Sequence, residues 1–272
     1  MSRVLIALSL TGALAVAGCA MIRPAPAPAP APRALPTGYL TAQTWPDAAV
    51  ILPPAPATGS PREAQDQAVY KASRALEGSP RWSLAQNDVP SLPANMLTDF
   101  SCAMDVQLSP QTTPRLMAML SRMGIDASRQ VSSVKDVFKR KRPYLIAGEG
   151  NICAPKSDSL AASPDYPSGH ATWGWGVALI LAEIAPDRAT PILTRGRAFG
   201  ESRVVCGVHS VSAIEAGRTN GAALVATWHG DPAFRADLEA VRAEIEAVRK
   251  AGAKPEAGAC KVEAELTAKT LW

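Results

Sequence analysis

Residues 167–183 read PSGHATWGWGVALILAE. From Ala171 to Ala182 the chain is apolar, and Glu183 is the first charge after it. At about 12 residues the run is shorter than the ~20 needed to span a bilayer, so it predicts a helix buried in a protein core. Pro167-Ser168-Gly169-His170 stands at the N-terminus of that helix, where backbone N–H groups have no intrahelical partner and positive partial charge collects. A glycine there lets an anion approach the main chain, and a serine hydroxyl adds a donor. The pattern is an oxyanion cradle with a histidine at its lip; a turn with a helix cap is the plainer alternative.

The segments around this helix also read as helices. Ser60-Pro61 opens a stretch with Ala64, Ala68, Ala72, Ala75 and Leu76 along one side, ended by Gly78. Thr113-Pro114 has the form of an N-cap followed by proline at the first helical position, leading into Leu116, Met117 and Leu120. Met117, Met119 and Met123 read as core filler. After Asp231-Pro232, the residues Phe234, Leu238, Val241, Ile245 and Val248 step by four, three, four and three, an apolar stripe with charges outside it. Period-two alternation bounded by turn residues is hard to find, so the predicted class is all-α, a single helical domain.

Two further segments could bind an anion. In Lys135 to Pro143, Lys135 and Arg142 stand seven positions apart; on one continuous helix they would differ by only ~20° in direction and share a face. Pro143 would then end that helix, with the arginine at its mouth. A solvated basic face or a nucleic-acid patch is the alternative, because residues 139–142 are all basic. In Ser202-Arg203 to His209, arginine offers a bidentate phosphate fork, and a turn at Gly207 could bring the histidine to the same anion. The chain has three histidines, and His170 and His209 both fall in these segments. The third, His229, beside Gly230 and Asp231, reads as a surface residue near a helix start.

Composition sets the limits. The chain has 272 residues, of which 47% are hydrophobic and 19% charged, with a net charge of +4. This describes a globular protein and is too weakly basic to imply nucleic-acid binding. Arg3 and the apolar run from Val4 to Ala17 read as an export signal, and Val16-Ala17-Gly18-Cys19 resembles a bacterial lipobox whose cysteine carries the lipid. Ten of the 24 prolines fall between Pro24 and Pro56, much of this in a Pro-Ala alternation that reads as an extended spacer. The predicted organisation is a signal peptide at 1–18, a linker at 19–60, the domain at 61–250 and a tail at 251–272. Localisation follows as periplasm or cell envelope, with a lipid anchor at Cys19 in the outer membrane, or else secretion. Setting Cys19 aside leaves Cys102, Cys153, Cys206 and Cys260, an even number in an exported chain. Of the three possible pairings, Cys102 with Cys153 and Cys206 with Cys260 is the one favoured. Zinc ligation is disfavoured, since no two cysteines have C-x-x-C spacing.

Taken together, Lys135 with Arg142-Pro143, then Pro-Ser-Gly-His at 167–170, then Ser202-Arg203 with His209 resembles the three-part signature of the PAP2 superfamily, K-x(6)-R-P, P-S-G-H and S-R-x(5)-H-x(3)-D. The surroundings resemble the class A bacterial non-specific acid phosphatases: Leu52-Pro53-Pro54, the stretch from Arg74 to Trp82, Phe100-Ser101-Cys102-Ala103, and Gly200-Glu201-Ser202-Arg203. The resemblance implies the all-α fold shared with vanadium haloperoxidases and hydrolysis of small phosphomonoesters with broad specificity, without metal or other cofactor. It implies that Lys135, Arg142, Ser168, Gly169 and Arg203 hold the phosphate, that His209 attacks phosphorus to form a phosphohistidine, and that His170 protonates the leaving alcohol. An assembly of several copies is compatible with the sequence and not specified by it.

One position departs from the pattern. The motif's aspartate, four residues after the nucleophile, falls at Ala213. Ser212 or a water would then orient His209 more weakly, Glu215 would point away on a helix, and activity would be lowered. The alternatives carried forward are a catalytically impaired phosphate-binding relative and a vanadate-dependent haloperoxidase.

Overall fold

The computed structural model describes residues 37–148 and 150–272, and among them there are helices and no strands. The export signal, the lipobox and the Pro-Ala alternation lie outside the described residues. Helix α1 spans Ala48–Ile51, α2 Pro61–Ser73, α3 Pro80–Asn87, α4 Pro93–Met104, α5 Pro114–Phe138 and α6 Pro143–Ala147. Next come α7 at Asp158–Ala162, α8 at Gly169–Ile184, α9 at Ala189–Val205, α10 at Val211–Trp228, α11 at Pro232–Ala251 and α12 at Ala257–Ala268.

Helix α8 is the centre of the fold. Its Val177, Ala178, Ile180 and Leu181 are buried among Met119 and Met123 of α5, Phe199 of α9, Leu224 of α10 and the Phe234-Leu238-Val241-Ile245 stripe of α11. The apolar run and the stripe therefore pack as their patterns predict. Helices α9 and α10 lie close against α8 because glycines face it. A Cβ on Gly196 would stand 2.3 Å from that of Ala178, and one on Gly217 would stand 2.7 Å from the Ser168 carbonyl. That second contact sets α10 directly against the mouth of α8.

Several local expectations are corrected. Helix α2 buries its polar side, Glu63, Asp66, Tyr70 and Ser73, while Ala64, Ala68, Ala72 and Ala75 face solvent. The hydrogen bonds and ion pairs Asp66 makes inside the protein outweigh the small area an alanine stripe could bury. Thr113 precedes Pro114 as predicted, yet its hydroxyl turns back to donate to the Ser109 carbonyl at 2.8 Å. Glu244 takes over the capping, accepting from the N–H groups of Arg115 and Leu116 at 2.9 Å each. Part of the stretch read as a linker packs onto the helices: Tyr39, Leu40, Ala48 and Leu52 are buried, and the N–H of Tyr39 donates to Asp126 at 2.8 Å. The tail carries α12, whose Glu263 reaches the buried Arg195 at 3.2 Å, beside the Arg195–Asp88 pair at 2.6 Å.

The cysteines pair as Cys102–Cys260 and Cys153–Cys206, which corrects the favoured connectivity. Loop length could not choose between the arrangements. The fold does, by returning α12 to α4 and by setting the strap before α7 against the end of α9. His229 is a correction as well: it is partly buried, with Nε2 2.9 Å from Glu183.

Candidate active site

The three segments converge on one cavity of about 740 Å³ whose lining includes Lys135, Arg142, Gly169, His170 and His209. They do not reach it as the helical spacing suggests. Helix α5 stops at Phe138, because Lys139 takes a left-handed conformation with φ of 47°. Lys135 is thus the last-turn cation of α5, while Arg142 caps the start of α6 on the far side of a turn. Their proximity comes from a break in the helix and not from a shared face.

Arg142 is buried and splayed across main-chain acceptors. Its Nε donates to the carbonyls of Leu160 and Ser163 at 2.9 and 2.8 Å, and its Nη1 to that of Val208 at 2.8 Å. The same Nη1 stands 3.1 Å from His209 Nε2. Lys135 Nζ donates to the Ser163 hydroxyl at 3.0 Å and to the Pro164 carbonyl at 2.6 Å. Ser168 is fully buried; its hydroxyl accepts from the N–H of Ala171 at 3.3 Å as the N-cap of α8, and its own N–H donates to Ala213 O at 2.9 Å. Arg203 is 3% exposed, and two of its nitrogens, Nε and Nη1, have no hydrogen-bond partner. A buried guanidinium with open donors is poised for an anion.

The two histidines have different supports. His170 Nε2 donates to the carbonyl of Val89 at 3.0 Å, and the ring stacks on Phe199 with centroids 5.9 Å apart. A carbonyl only accepts, so Nδ1 is left for exchangeable proton chemistry. His209 is held through Nδ1, 2.9 Å from Asp165 Oδ1. This corrects the expectation that Ser212 or water would orient it. Ser212 is instead occupied by Arg140, which donates to its hydroxyl at 2.6 Å, and by Asp66, which accepts from its N–H at 2.9 Å. Glu215 does point away, pairing with Arg62 at the surface.

Burial and mutual repulsion tune the charges. Burial, then Arg142, lowers the Lys135 ammonium to about 8. Burial also lowers Arg203, to about 10. His209 is pushed well below 6.5, first by burial and then by Arg142, Lys135 and Arg203; His170 is pushed the same way by burial and Arg203. Both imidazoles are therefore neutral in the empty site at pH 7. Among the described residues no group of three His, Cys, Asp or Glu side chains is placed to hold a metal ion.

The spacing of the motifs led to seven of these residues but not to Asp165, Arg140, Asp66 or the Val89 carbonyl. Only the absence of a carboxylate at 213, read together with one two residues before Pro167, could have drawn attention to Asp165.

An all-helical body with such an anion cradle defines a class, and comparison with known proteins gives the same one. The model of the PAP2 superfamily matches residues 115–235. The chain is 39% identical to an acid phosphatase of Zymomonas mobilis over 218 residues, which cover 80% of this chain and 82% of that protein. It is 33% identical to a non-specific acid phosphatase of Providencia stuartii, covering 78% and 86% of the two chains. With a non-specific acid phosphatase of Salmonella typhimurium the identity is 35%, over 71% and 78%. The chain belongs to the PAP2 superfamily.

Proposed function

We propose that this chain, a phosphatase of the PAP2 superfamily, hydrolyses small phosphomonoesters through a phosphohistidine on His209. The observation that carries the mechanism is the neutral imidazole of His209 lining one cavity with Lys135 and Arg142, with the buried Arg203, its Nε and Nη1 unpartnered, near enough to lower the same imidazole. Phosphoryl transfer asks mainly for positioning and for stabilisation of charge on the three non-bridging oxygens. Three cations and the N-terminus of α8, at Ser168 and Gly169, supply both.

The bound phosphate displaces the contact between Arg142 Nη1 and His209 Nε2. The Nε2 lone pair then attacks phosphorus as the ester P–O bond breaks, and the proton on His170 Nδ1 passes to the departing alkoxide. In the second half, water attacks phosphorus as the P–N bond breaks and its electron pair returns to His209 Nε2, while the water gives a proton to His170 Nδ1 and inorganic phosphate leaves. His170 is neutral beside Arg203 in the empty site. A bound dianion reverses the sign of that field and raises the imidazole, so substrate binding itself charges the acid.

The open cavity makes few specific demands on the alcohol, which suits broad specificity. We also infer export to the cell envelope and a lipid anchor at Cys19, on the strength of the N-terminal sequence. Among the described residues no helix is long and apolar enough to cross a membrane. Turnover of p-nitrophenyl phosphate, abolished by His209→Ala, with acid-labile, base-stable phosphate trapped on the wild-type chain, is the expected result. Undiminished turnover by His209→Ala would overturn the mechanism.

A further inference from the structure

Building on that mechanism, we propose that Asp165 is the positioning residue of the nucleophile, a carboxylate that reaches His209 from the loop before α8 in place of the one the motif sets on α10. Its Oδ1 stands 2.9 Å from His209 Nδ1 and accepts the N–H of Ser210 at 3.1 Å. Its Oδ2 accepts the Ser210 hydroxyl at 2.6 Å and faces Arg140 Nη1 at 3.5 Å. Every neighbour of the two oxygens is a donor or a cation, so although burial raises this carboxyl, Oδ1 serves as an acceptor and His209 Nδ1 must carry hydrogen. Arg142 independently leads to the same tautomer: a guanidinium only donates, so Nε2 beside it must present its lone pair. Two contacts on opposite sides of one ring thus direct the nucleophilic nitrogen into the cavity.

Asp165 is itself held firmly. It is 1% exposed, and its N–H donates to the Arg140 carbonyl at 2.8 Å. The Arg140 guanidinium pairs with Asp66 of α2 at 2.9 Å and donates to the Ser210 hydroxyl at 2.8 Å. This explains why α2 turns its polar side inward. At the motif's own position, Ala213 is fully buried in an apolar cluster with Ala48, Leu52, Val134, Tyr166 and Ala216. The carboxylate has moved to another element while the contact on the ring is kept.

In Asp165→Asn, kcat for p-nitrophenyl phosphate should fall by about 10²–10⁴-fold, the range that loss of an orienting carboxylate spans in a triad, while KM and inhibition by inorganic phosphate stay within about threefold. Nitrogen-15 spectra of the labelled ring should show Nδ1–H on His209 in the wild type and a mixture of tautomers in the variant. A second cavity of about 550 Å³, lined by Asp165, Arg140 and Ser210, gives small anions access, so formate should restore part of the kcat lost in Asp165→Ala. Retention of kcat by Asp165→Asn in an enzyme that His209→Ala inactivates would overturn the proposal. So would an unchanged His209 tautomer, or a joint loss of phosphate affinity and kcat that formate does not touch. If His209→Ala leaves turnover intact, the phosphohistidine mechanism fails instead, and the tautomer measurement alone decides the role of Asp165.

Discussion

Cys206, three residues after Arg203 and three before His209, is bonded to Cys153, whose N–H also donates to the Cys206 carbonyl at 3.1 Å. The turn that brings Arg203 and His209 together is therefore tied to the strap ahead of α7. The sequence separation of 53 corresponds to about 4 kcal/mol of lost chain entropy in the unfolded state. Replacing both cysteines by alanine should lower the unfolding free energy by a comparable amount, read from the urea midpoint together with a slope that stays equal or rises as the unfolded chain expands. A shift under about 1 kcal/mol would show that the fold holds this turn unaided.

Lys135 sets an alkaline limit. With its ammonium lowered to about 8, the free site loses one of its cations as pH rises through that value. The profile of kcat/KM, which reports the free enzyme, should then fall above about pH 8. Arginine stays protonated throughout, so Lys135→Arg should move that limb upward by at least one pH unit. An unmoved limb would assign it to another group. On the acid side His209 is held neutral well below 6.5, so in the proposed mechanism it stays competent to attack as pH drops.

Arg203 opposes stability to function. Its buried, unpartnered Nε and Nη1 weaken the empty fold by about the cost of unsatisfied polar groups, on the order of 1–3 kcal/mol. Arg203→Met should raise the melting temperature of phosphate-free protein and weaken inorganic phosphate binding at least ~10-fold. A variant that melts earlier than wild type would refute this account of the guanidinium.

Ala213→Asp tests the corrected view of what supports His209. If Ser212 or water oriented His209, restoring the motif aspartate should raise kcat by about 10². With Asp165 already on Nδ1, the new carboxylate has no vacancy to fill. It would be buried against Leu52, Val134 and Tyr166 and repelled by Asp165. We expect unchanged or lower kcat and a stability loss of about 1–3 kcal/mol, read from thermal melts with and without phosphate.

How much of this could be read in the sequence follows from what each signal encodes. The core role of α8 and the α11 stripe came from side chains whose burial is set by local period, and these packed as predicted. Residues of the three motifs were found because their spacing is local even where the inferred geometry was not: Lys135 and Arg142 meet across a break at Lys139 that no helical wheel contains. What stayed hidden was non-local. Asp66 and Ser212 are 146 positions apart, and Asp165 and His209 are 44 apart. Helix α2 misled because alanine at helical spacing carries little burial energy, while one aspartate with an arginine and a serine waiting inside carries more. Cysteine pairing was hidden for the same reason, since only the path of the chain brings Cys260 to Cys102.

The two histidines are supported by different kinds of atom. His170 leans on the main-chain carbonyl of Val89, and the neighbouring Trp173 indole on that of Ser91. No side-chain substitution at 89 or 91 deletes those acceptors, so His170, the proposed proton donor, tolerates drift in the sequence of that loop and is vulnerable mainly to insertions, deletions or a proline that reroutes the chain. His209 depends on a side-chain carboxylate, and one nucleotide change in a single codon can remove it. Random mutagenesis scored on a good leaving group, which needs little help from an acid, should therefore collect its missense losses at Asp165, Arg140 and Asp66, and its frame-preserving indel losses around Val89.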